Sequence, residues 1–284
     1  MPYPTQTEMS LGMAESGSVE MIEETTEQEP KLKHPLDADH AFIRYGVRRI
    51  IKNNQNLIIV VVGRSGSGKS FLSLSLAWAY AQVLGTEFGI NNIHFTPTSF
   101  MGNIVSKPPS GTPMVFEEVG VNVGARDWQQ KTNIVLGYVF QTFRSYNYIT
   151  ILNVPHLGFI DKTLRTMAHV VIRTERIHHK AQLCEARVLY VCNDALGTMP
   201  TMYRYGRSTE SLAKIKLILV PKPPQELIDK YEKKKQAFND QLMLDVYKQL
   251  TAKPVETQAQ RRERERQEQQ EIERQWRIKH GYPV

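Results

Sequence analysis

Apolar runs alternate with helix-like patterns along residues 38–173, which predicts strands and helices that follow one another in the chain. The first buried strand is Leu57–Val62, six consecutive apolar residues. A helix that is apolar on most of its surface follows over Ser70–Leu84 and is expected to pack on a sheet. Further strands are predicted at residues 93–96, 114–116, 148–153 and 169–173. Further helices are predicted at residues 38–52, 99–105, 128–144 and 162–165.

This alternation is typical of an α/β fold with a mainly parallel, doubly wound sheet. After residue 174 the pattern changes, and residues 181–192 and 214–220 are predicted to be strands of an antiparallel extension. Two helix-like segments, residues 225–250 and 261–277, follow. We therefore divide the chain into a disordered acidic arm, a globular core, a helix that packs on or extends from that core and a charged helical tail, over residues 1–36, 37–222, 223–253 and 254–284.

Charge is divided unevenly along the chain. Residues 1–30 hold seven of the 29 acidic residues and no Lys or Arg, which leaves 36 basic and 22 acidic residues, or +14, on the remainder. A chain with this positive charge beyond residue 30 attracts polyanions, and DNA is the partner that we expect. The alternative explanation is that the charge serves general solubility. The tail is polar all round except for Ile272 and Trp276, which predicts a solvated helix or one that docks a protein partner.

Composition excludes several classes of protein. A hydrophobic content of 41% is enough to bury the core of one sizeable domain. The sequence has no apolar run of membrane-spanning length and no basic-then-apolar signal pattern, so we expect a cytoplasmic protein without a membrane span. Cys184 and Cys192 are too few for a disulfide scaffold or a zinc site.

The segment after the first strand fits G-x-x-x-x-G-K-[ST], the pattern of the phosphate-binding P-loop. Its glycines let the backbone turn sharply and bring N–H groups against phosphate oxygens. Lys69 is predicted to reach the β- and γ-phosphates of ATP, Ser70 to bind Mg²⁺, and the N-terminus of the following helix to attract the anion. The predicted nucleotide-binding residues are Gly63, Arg64, Ser65, Gly66, Ser67, Gly68, Lys69, Ser70 and Phe71.

Two acidic residues, Glu117 and Glu118, end the apolar strand at residues 114–116, where an NTPase requires carboxylates. By position, Glu117 is predicted to hold Mg²⁺ through water and Glu118 to polarise the attacking water. Asp is the usual residue at the first position, so Glu117 is a departure from the pattern. The alternative is a pair of solvated glutamates at a strand end.

Four further candidates, one asparagine and three arginines, lie later in the chain. Asn153 ends the strand at residues 148–153 and is predicted to sense the γ-phosphate or the lytic water, with a turn-forming Asn before Pro155 as the alternative. Arg144 is the first candidate for an arginine that reaches the γ-phosphate of a neighbouring subunit. Arg126 and Arg165 are rivals for that role, and a surface ion pair is the simpler explanation for any one of them.

The order of these motifs resembles the FtsK/HerA superfamily of P-loop DNA-pumping ATPases. Within it, the chain is most similar to the zonula occludens toxin-like (Zot-like) ATPases of archaea and their mobile elements, over about residues 40–235. The P-loop is specific for nucleotide binding but not for family. The stretches that carry the resemblance are Val115–Gly120, Gly124–Trp128, Phe140–Arg144, Ile151–Pro155 and Pro223–Tyr231.

The resemblance implies a RecA-like core, assembly as a hexameric ring, ATP hydrolysis at subunit interfaces and DNA that is threaded or packaged through the ring. It implies a catalytic role for Glu118, a sensor role for Asn153 and a trans role for Arg144. Two departures limit it: Glu117 replaces the expected Asp, and the membrane segment of filamentous-phage relatives is not found in the sequence.

Two other functions are compatible with the same residues. A P-loop on a parallel sheet also builds small-molecule and nucleoside kinases, which act as monomers or dimers. A nucleotide-gated scaffold that does not hydrolyse ATP is the other, and the departure at Glu117 favours it.

Overall fold

A computed structural model describes residues 36–117, 137, 140, 146–193, 202–205, 215–251 and 258–281. Helices α1 to α6 extend over Ala41–Val47, Lys69–Leu84, Pro97–Val105, Lys162–Met167, Gln225–Thr251 and Gln258–Lys279. Strands β1 to β8 extend over Leu57–Val62, Ile93–His94, Pro113–Phe116, Ile149–Val154, Val170–His178, Leu183–Cys192, Met202–Tyr205 and Leu217–Pro221.

The strands within these residues form one eight-stranded sheet in the order β2-β3-β4-β1-β5-β6, and β6 pairs with both β7 and β8 on its other side. The pairs among β2, β3, β4, β1 and β5 are parallel, and the pairs of β6 with β5, β7 and β8 are antiparallel. The predicted α/β class, with a mainly parallel sheet, an antiparallel extension and C-terminal helices, is confirmed. Strand β4 lies between β1 and β3 and so brings its own residues between the P-loop and Glu117.

Both faces of the central strand β1 are covered, which explains why it contains no polar residue. Leu57, Ile59 and Val61 pack with residues of α1, α2 and α5 on one face. Ile58, Val60 and Val62 pack with residues of α3 and α4 on the other. All six are buried, so the P-loop begins directly after a strand that is packed on both faces.

The structure differs from the sequence-based expectations in two places. Strand β5 does not end at residue 173 but continues to His178, because its second half pairs with β6, with an irregularity between Thr174 and Arg176. Strand β7 was not predicted, since its four residues are too short a pattern to recognise. The acidic arm up to residue 35, and all but two residues of the helix predicted at 128–144, lie outside the described residues.

None of the helices within the described ranges combines the length and the apolar character that crossing a bilayer requires.

A partly buried histidine joins the central strand to its neighbour. His169 stands directly before β5, and its Nδ1 accepts a hydrogen bond from the backbone N–H of Ile58 at 2.9 Å. Burial, with a smaller contribution from the charge of Arg49, lowers the pKa of His169 to about 3. The folded protein therefore requires the neutral imidazole.

This requirement makes stability depend on pH. The unfolded chain binds a proton at His169 below its ordinary pKa of 6.5, whereas the folded chain does not until about 3, so the free energy of unfolding should fall as pH drops through this window. For this group the slope approaches about 1.4 kcal/mol per pH unit. Urea unfolding between pH 7 and pH 4 measures it. His169→Asn keeps an acceptor without the titration and should flatten the profile, whereas parallel profiles for the two proteins would contradict the assignment.

Candidate functional site

The P-loop, Gly63–Ser70, joins β1 to α2 at the carboxyl end of the central strand. Gly66 and Gly68 have φ angles of 75° and 85°, in the left-handed region that favours glycine. Gly63 is required for a different reason, because a Cβ there would lie 2.0 Å from the Thr174 Oγ1 and 2.5 Å from the Ser67 Oγ. The loop is therefore held in a tight curve with its backbone accessible at the N-terminus of α2.

Two side-chain contacts close this curve. The Lys69 Nζ donates a hydrogen bond to the backbone carbonyl of Arg64 at 2.7 Å, so the lysine reaches back across the loop. The Thr174 hydroxyl on β5 lies 2.7 Å from the Ser67 Oγ and 3.3 Å from the Val62 carbonyl, which fastens the loop to the neighbouring strand. The lysine is thus held at the mouth of a preformed anion-binding turn.

A buried carboxylate faces the start of α2. Glu117 follows β3 and is only 2% exposed. The Ser70 hydroxyl donates to its Oε2 at 3.1 Å, and the Asn153 Nδ2 on β4 donates to its Oε1 at 2.7 Å. The Asn153 Oδ1 in turn accepts from the Ser73 hydroxyl at 2.5 Å. These four side chains form one hydrogen-bond network across β3, β4 and α2, and we name it the Glu117 network.

The Glu117 network fits a magnesium ion. Mg²⁺ binds oxygen ligands in an octahedron and keeps several waters, so it needs only one or two protein oxygens. At the usual Mg–O length, adjacent ligands lie about 3 Å apart, close to the 3.1 Å between the Ser70 Oγ and the Glu117 Oε2. Clusters of three or more His, Cys, Asp or Glu side chains do not occur among the described residues, so a metal held only by such side chains has no site there.

Two adjoining cavities open at the P-loop. The larger, of about 480 Å³, contains Lys69, Ser70, Glu117 and Asn153 in its wall; we name it the phosphate cleft. The smaller, of about 270 Å³, lies against β8 and the β5–β6 hairpin, and we name it the apolar cavity. Both include Gly68, Phe71 and Ile177 in their walls, so they adjoin at the start of α2.

The apolar cavity contains few charged groups. Phe71, Ile177, Leu183, Val220 and Pro221 supply most of its wall, with His179, Gln182 and Lys222 as polar groups at its edge. Cys184 also contributes, and burial raises the pKa of its thiol to about 11. The cysteine is therefore neutral at physiological pH and adds apolar surface rather than reactivity.

The structure brings most of the predicted site residues together. Members of the P-loop, Phe71, Glu117 and Asn153 line the phosphate cleft. Arg165 on α4 donates to the Asp161 carbonyl at 3.3 Å and is not among the residues that line the cleft. Three predicted residues lie outside the described part of the chain: Glu118, Arg126 and Arg144.

Several residues of the site were missed in the sequence. Ser73 follows Ser70 by three positions, so helical spacing placed it on the same face and a search for polar residues in α2 would have found it. Thr174 follows directly after the strand predicted to end at residue 173, where a polar residue at a carboxyl end is a usable signal. Three residues of α5 that also line the phosphate cleft, Tyr231, Glu232 and Lys235, had no local signal, because only the tertiary fold brings them there.

No protein-family model matches the chain, and no curated protein sequence does. The solved structures that are similar to parts of it include the following three. The N-terminal domain of zonular occludens toxin from Neisseria meningitidis matches with a TM-score of 0.34 and 13% identity, over 55% of this chain and 97% of that one. A KaiC-like protein from Pyrococcus horikoshii OT3 matches with a TM-score of 0.33 and 14% identity, over 58% and 85%. The DnaC helicase loader matches with a TM-score of 0.27 and 16% identity, over 44% and 75%.

The first of these proteins carries the name of the group that the motif order suggested. Similarity at such TM-scores and identities does not establish a function. On its own residues, the chain combines the strand, P-loop, helix and buried acid of a P-loop ATPase in one site.

The Glu117 network predicts that Asn153→Asp is destabilising at neutral pH. The substitution replaces an amide donor by a second carboxylate within about 3 Å of the first, and two buried carboxylates at that distance do not both ionise. We expect a loss of about 3 kcal/mol or more in the free energy of unfolding at pH 7, with part of it recovered at pH 5 as one acid takes a proton.

The matched control is the double variant Glu117→Gln, Asn153→Asp, which again pairs one amide with one carboxylate. It should recover most of the stability at pH 7 in urea unfolding. If Asn153→Asp is as stable as wild type, or if the double variant is no better than the single one, the hydrogen bond between these two side chains does not hold the site together.

Proposed function

We propose that this chain binds and hydrolyses ATP with Mg²⁺ and uses the energy to translocate or package DNA as a ring of identical subunits. The observation that carries the ATPase part is the Glu117 network, in which a buried carboxylate meets the Ser70 hydroxyl directly beside the P-loop lysine. The Glu117 carboxylate lies at the start of α2, hydrogen-bonded to the Ser70 hydroxyl, and this position suits an acid that holds a cation beside bound phosphates.

In this proposal, different residues contact different parts of the triphosphate and its Mg²⁺. The loop N–H groups and the positive end of α2 hold the phosphates, and Lys69 leaves the Arg64 carbonyl to contact the β- and γ-phosphates. Ser70 and Glu117 would hold Mg²⁺, which neutralises charge on the phosphates when bound. Asn153 keeps the Glu117 carboxylate oriented, since its amide joins that acid to Ser73. Glu118 is proposed to accept the proton of the attacking water.

The apolar cavity is proposed to hold the base of the nucleotide. It adjoins the phosphate cleft at Gly68 and Phe71, beside the N-terminus of α2 where the phosphates are proposed to bind. A largely apolar wall with an aromatic ring and a few polar groups at the rim is typical of a nucleotide-base site. The ligand would thus be a complete nucleotide rather than a phosphate or polyphosphate.

The DNA and ring parts of the proposal rest on charge and on the motif order. The chain beyond residue 30 carries +14, which favours binding to a polyanion. The order of motifs resembles that of DNA-pumping ATPases, and Arg144 is proposed to complete the site of a neighbouring subunit, where such an arginine raises the rate by about 10³ to 10⁵ in other NTPases. A protein partner for the charged helix α6 and a cytoplasmic location belong to the same proposal.

Phe71→Ala tests the base site. We expect ATP to bind about 5- to 150-fold more weakly, because stacking of a base on an aromatic ring is worth about 1 to 3 kcal/mol. Inorganic tripolyphosphate should bind equally well to wild type and variant, since it has no base. Calorimetric titration with both ligands in the presence of Mg²⁺ measures the two effects.

The matched control is Phe159→Ala, which removes an exposed ring that lines neither cavity. It should leave both affinities unchanged. A Phe71→Ala protein that loses ATP and tripolyphosphate equally, or loses neither, contradicts the base site.

The motor proposal predicts that DNA stimulates ATP turnover at low salt and that raising the salt removes the stimulation. Glu118→Gln should keep the ATP affinity of wild type and abolish turnover, whereas Lys69→Ala should lose ATP binding itself. Steady-state ATPase assays measure the turnover of each protein, and light scattering in ATP and Mg²⁺ measures the size of the assembly.

Three outcomes would count against it. If DNA at low salt neither binds nor stimulates, the DNA part is wrong while the ATPase part stands. If a monomer phosphorylates a nucleoside, the chain is a kinase. If ATP binds but is not hydrolysed with or without DNA, the scaffold function is correct.

A further inference from the structure

The C-terminal helix α5 forms one wall of the phosphate cleft. Tyr231, Glu232 and Lys235 of this helix line the same cleft as Lys69 and Glu117. The P-loop motif explains the side chains on the core side of the cleft, but it does not indicate which side chains of α5 line the rest. A lysine of α5 that lines the cleft is a candidate ligand for an anion.

Aromatic and apolar contacts fix where α5 lies. Leu227, Ile228 and Tyr231 are buried, and Tyr231 is fully so. Phe95 stacks with Tyr231 and with Phe238, at ring-centroid distances of 6.1 and 5.0 Å. These contacts extend over three turns of the helix, so its first half is packed firmly on the core.

A second set of contacts ties α5 to the strand beside Glu117. The Lys234 Nζ donates hydrogen bonds to the carbonyls of Ile90 and Ile93, at 2.9 and 2.6 Å. The next residue of β2, His94, accepts a hydrogen bond at its carbonyl from the Glu117 backbone N–H at 2.8 Å. The helix and the buried acid are thus anchored to the same short strand, and the backbone of Lys235 is held at a fixed place relative to Glu117.

Helical geometry and charge then favour Lys235 as the residue that meets the ligand. Residues 231 and 235 are one turn apart and share a face, and the Lys235 Nζ lies 5.6 Å from the centroid of the Tyr231 ring. The ammonium therefore lies over the Tyr231 ring in a cation–π contact, while Lys235 lines the cleft. Glu232 and Glu117 bring negative charge to the same cleft, and a triphosphate adds more. A second cation opposite Lys69 reduces the repulsion that the ligand meets.

We propose that Lys235 is a second phosphate-binding cation of this site, supplied by helix α5 rather than by the P-loop. The inference rests on the proposed nucleotide function. It has a structural consequence, because a nucleotide held between Lys69 and Lys235 joins the core to α5 directly. The position of α5 would then depend on whether a nucleotide is bound.

Lys235→Met tests the proposal, since methionine is an unbranched side chain of similar length without the charge. We expect it to bind both ATP and inorganic tripolyphosphate about tenfold more weakly than wild type, because a charge-assisted hydrogen bond to the phosphates is lost. The loss should shrink as salt rises, and Lys235→Arg should restore most of the affinity. Calorimetric titration in Mg²⁺ at low and high salt measures all three effects, and thermal unfolding shows whether each variant is folded.

Lys233→Met is the matched control. Lys233 lies on the same helix, is exposed, and does not line the cleft. It should bind both ligands like wild type. If Lys235→Met binds both ligands like the Lys233 variant while Lys69→Ala loses them, the inference is wrong and the proposed function stands. If the wild type binds neither ligand, both are wrong.

Discussion

The Glu117 carboxylate is almost completely shielded from solvent, and the arrangement of the site follows from that burial. Removing a carboxylate from water costs several kcal/mol unless polar groups replace the water. Here the hydroxyl of Ser70 and the amide of Asn153 donate to its two oxygens. The amide is available only because β4 lies between β1 and β3. The strand order therefore determines which side chains meet at the site, and in the proposed function the Glu117 carboxylate holds a cation beside Ser70.

Three separate parts of the chain meet around the P-loop. The parallel core supplies the loop and the Glu117 network, the antiparallel extension supplies the apolar cavity, and α5 supplies the far wall of the phosphate cleft. A nucleotide that fills both cavities contacts all three parts at once. In the proposed motor, this is how a change at the phosphates would reach elements far from them in the sequence, since the contacts of α5 and of β6 with the core are already formed.

Local patterns were enough to predict the elements that depend on local physics. An unbroken apolar run predicted β1, the glycine spacing predicted the P-loop, and an acid at the end of a short apolar strand predicted Glu117. The order of strands in the sheet could not be read in this way, because nothing in residues 148–153 says which neighbours the strand will have. The sequence suggested Asn153 as a phosphate sensor, which stays a prediction, but it did not indicate that the amide bonds to Glu117 and Ser73. The position of α5 could not be predicted either. An apolar face indicates that a helix packs on the core, but not on which part of the core.

We propose that one site, built on Lys69 and the Glu117 network, binds a magnesium nucleotide. A crystal structure of the chain with a non-hydrolysable ATP analogue and Mg²⁺ is the sharpest test of this binding. We expect the phosphates to contact the loop N–H groups, the ion to lie beside Ser70 and Glu117, and the base to lie in the apolar cavity next to Phe71. Nucleotide density elsewhere, or an ion that contacts neither Ser70 nor Glu117 directly or through water, would contradict it.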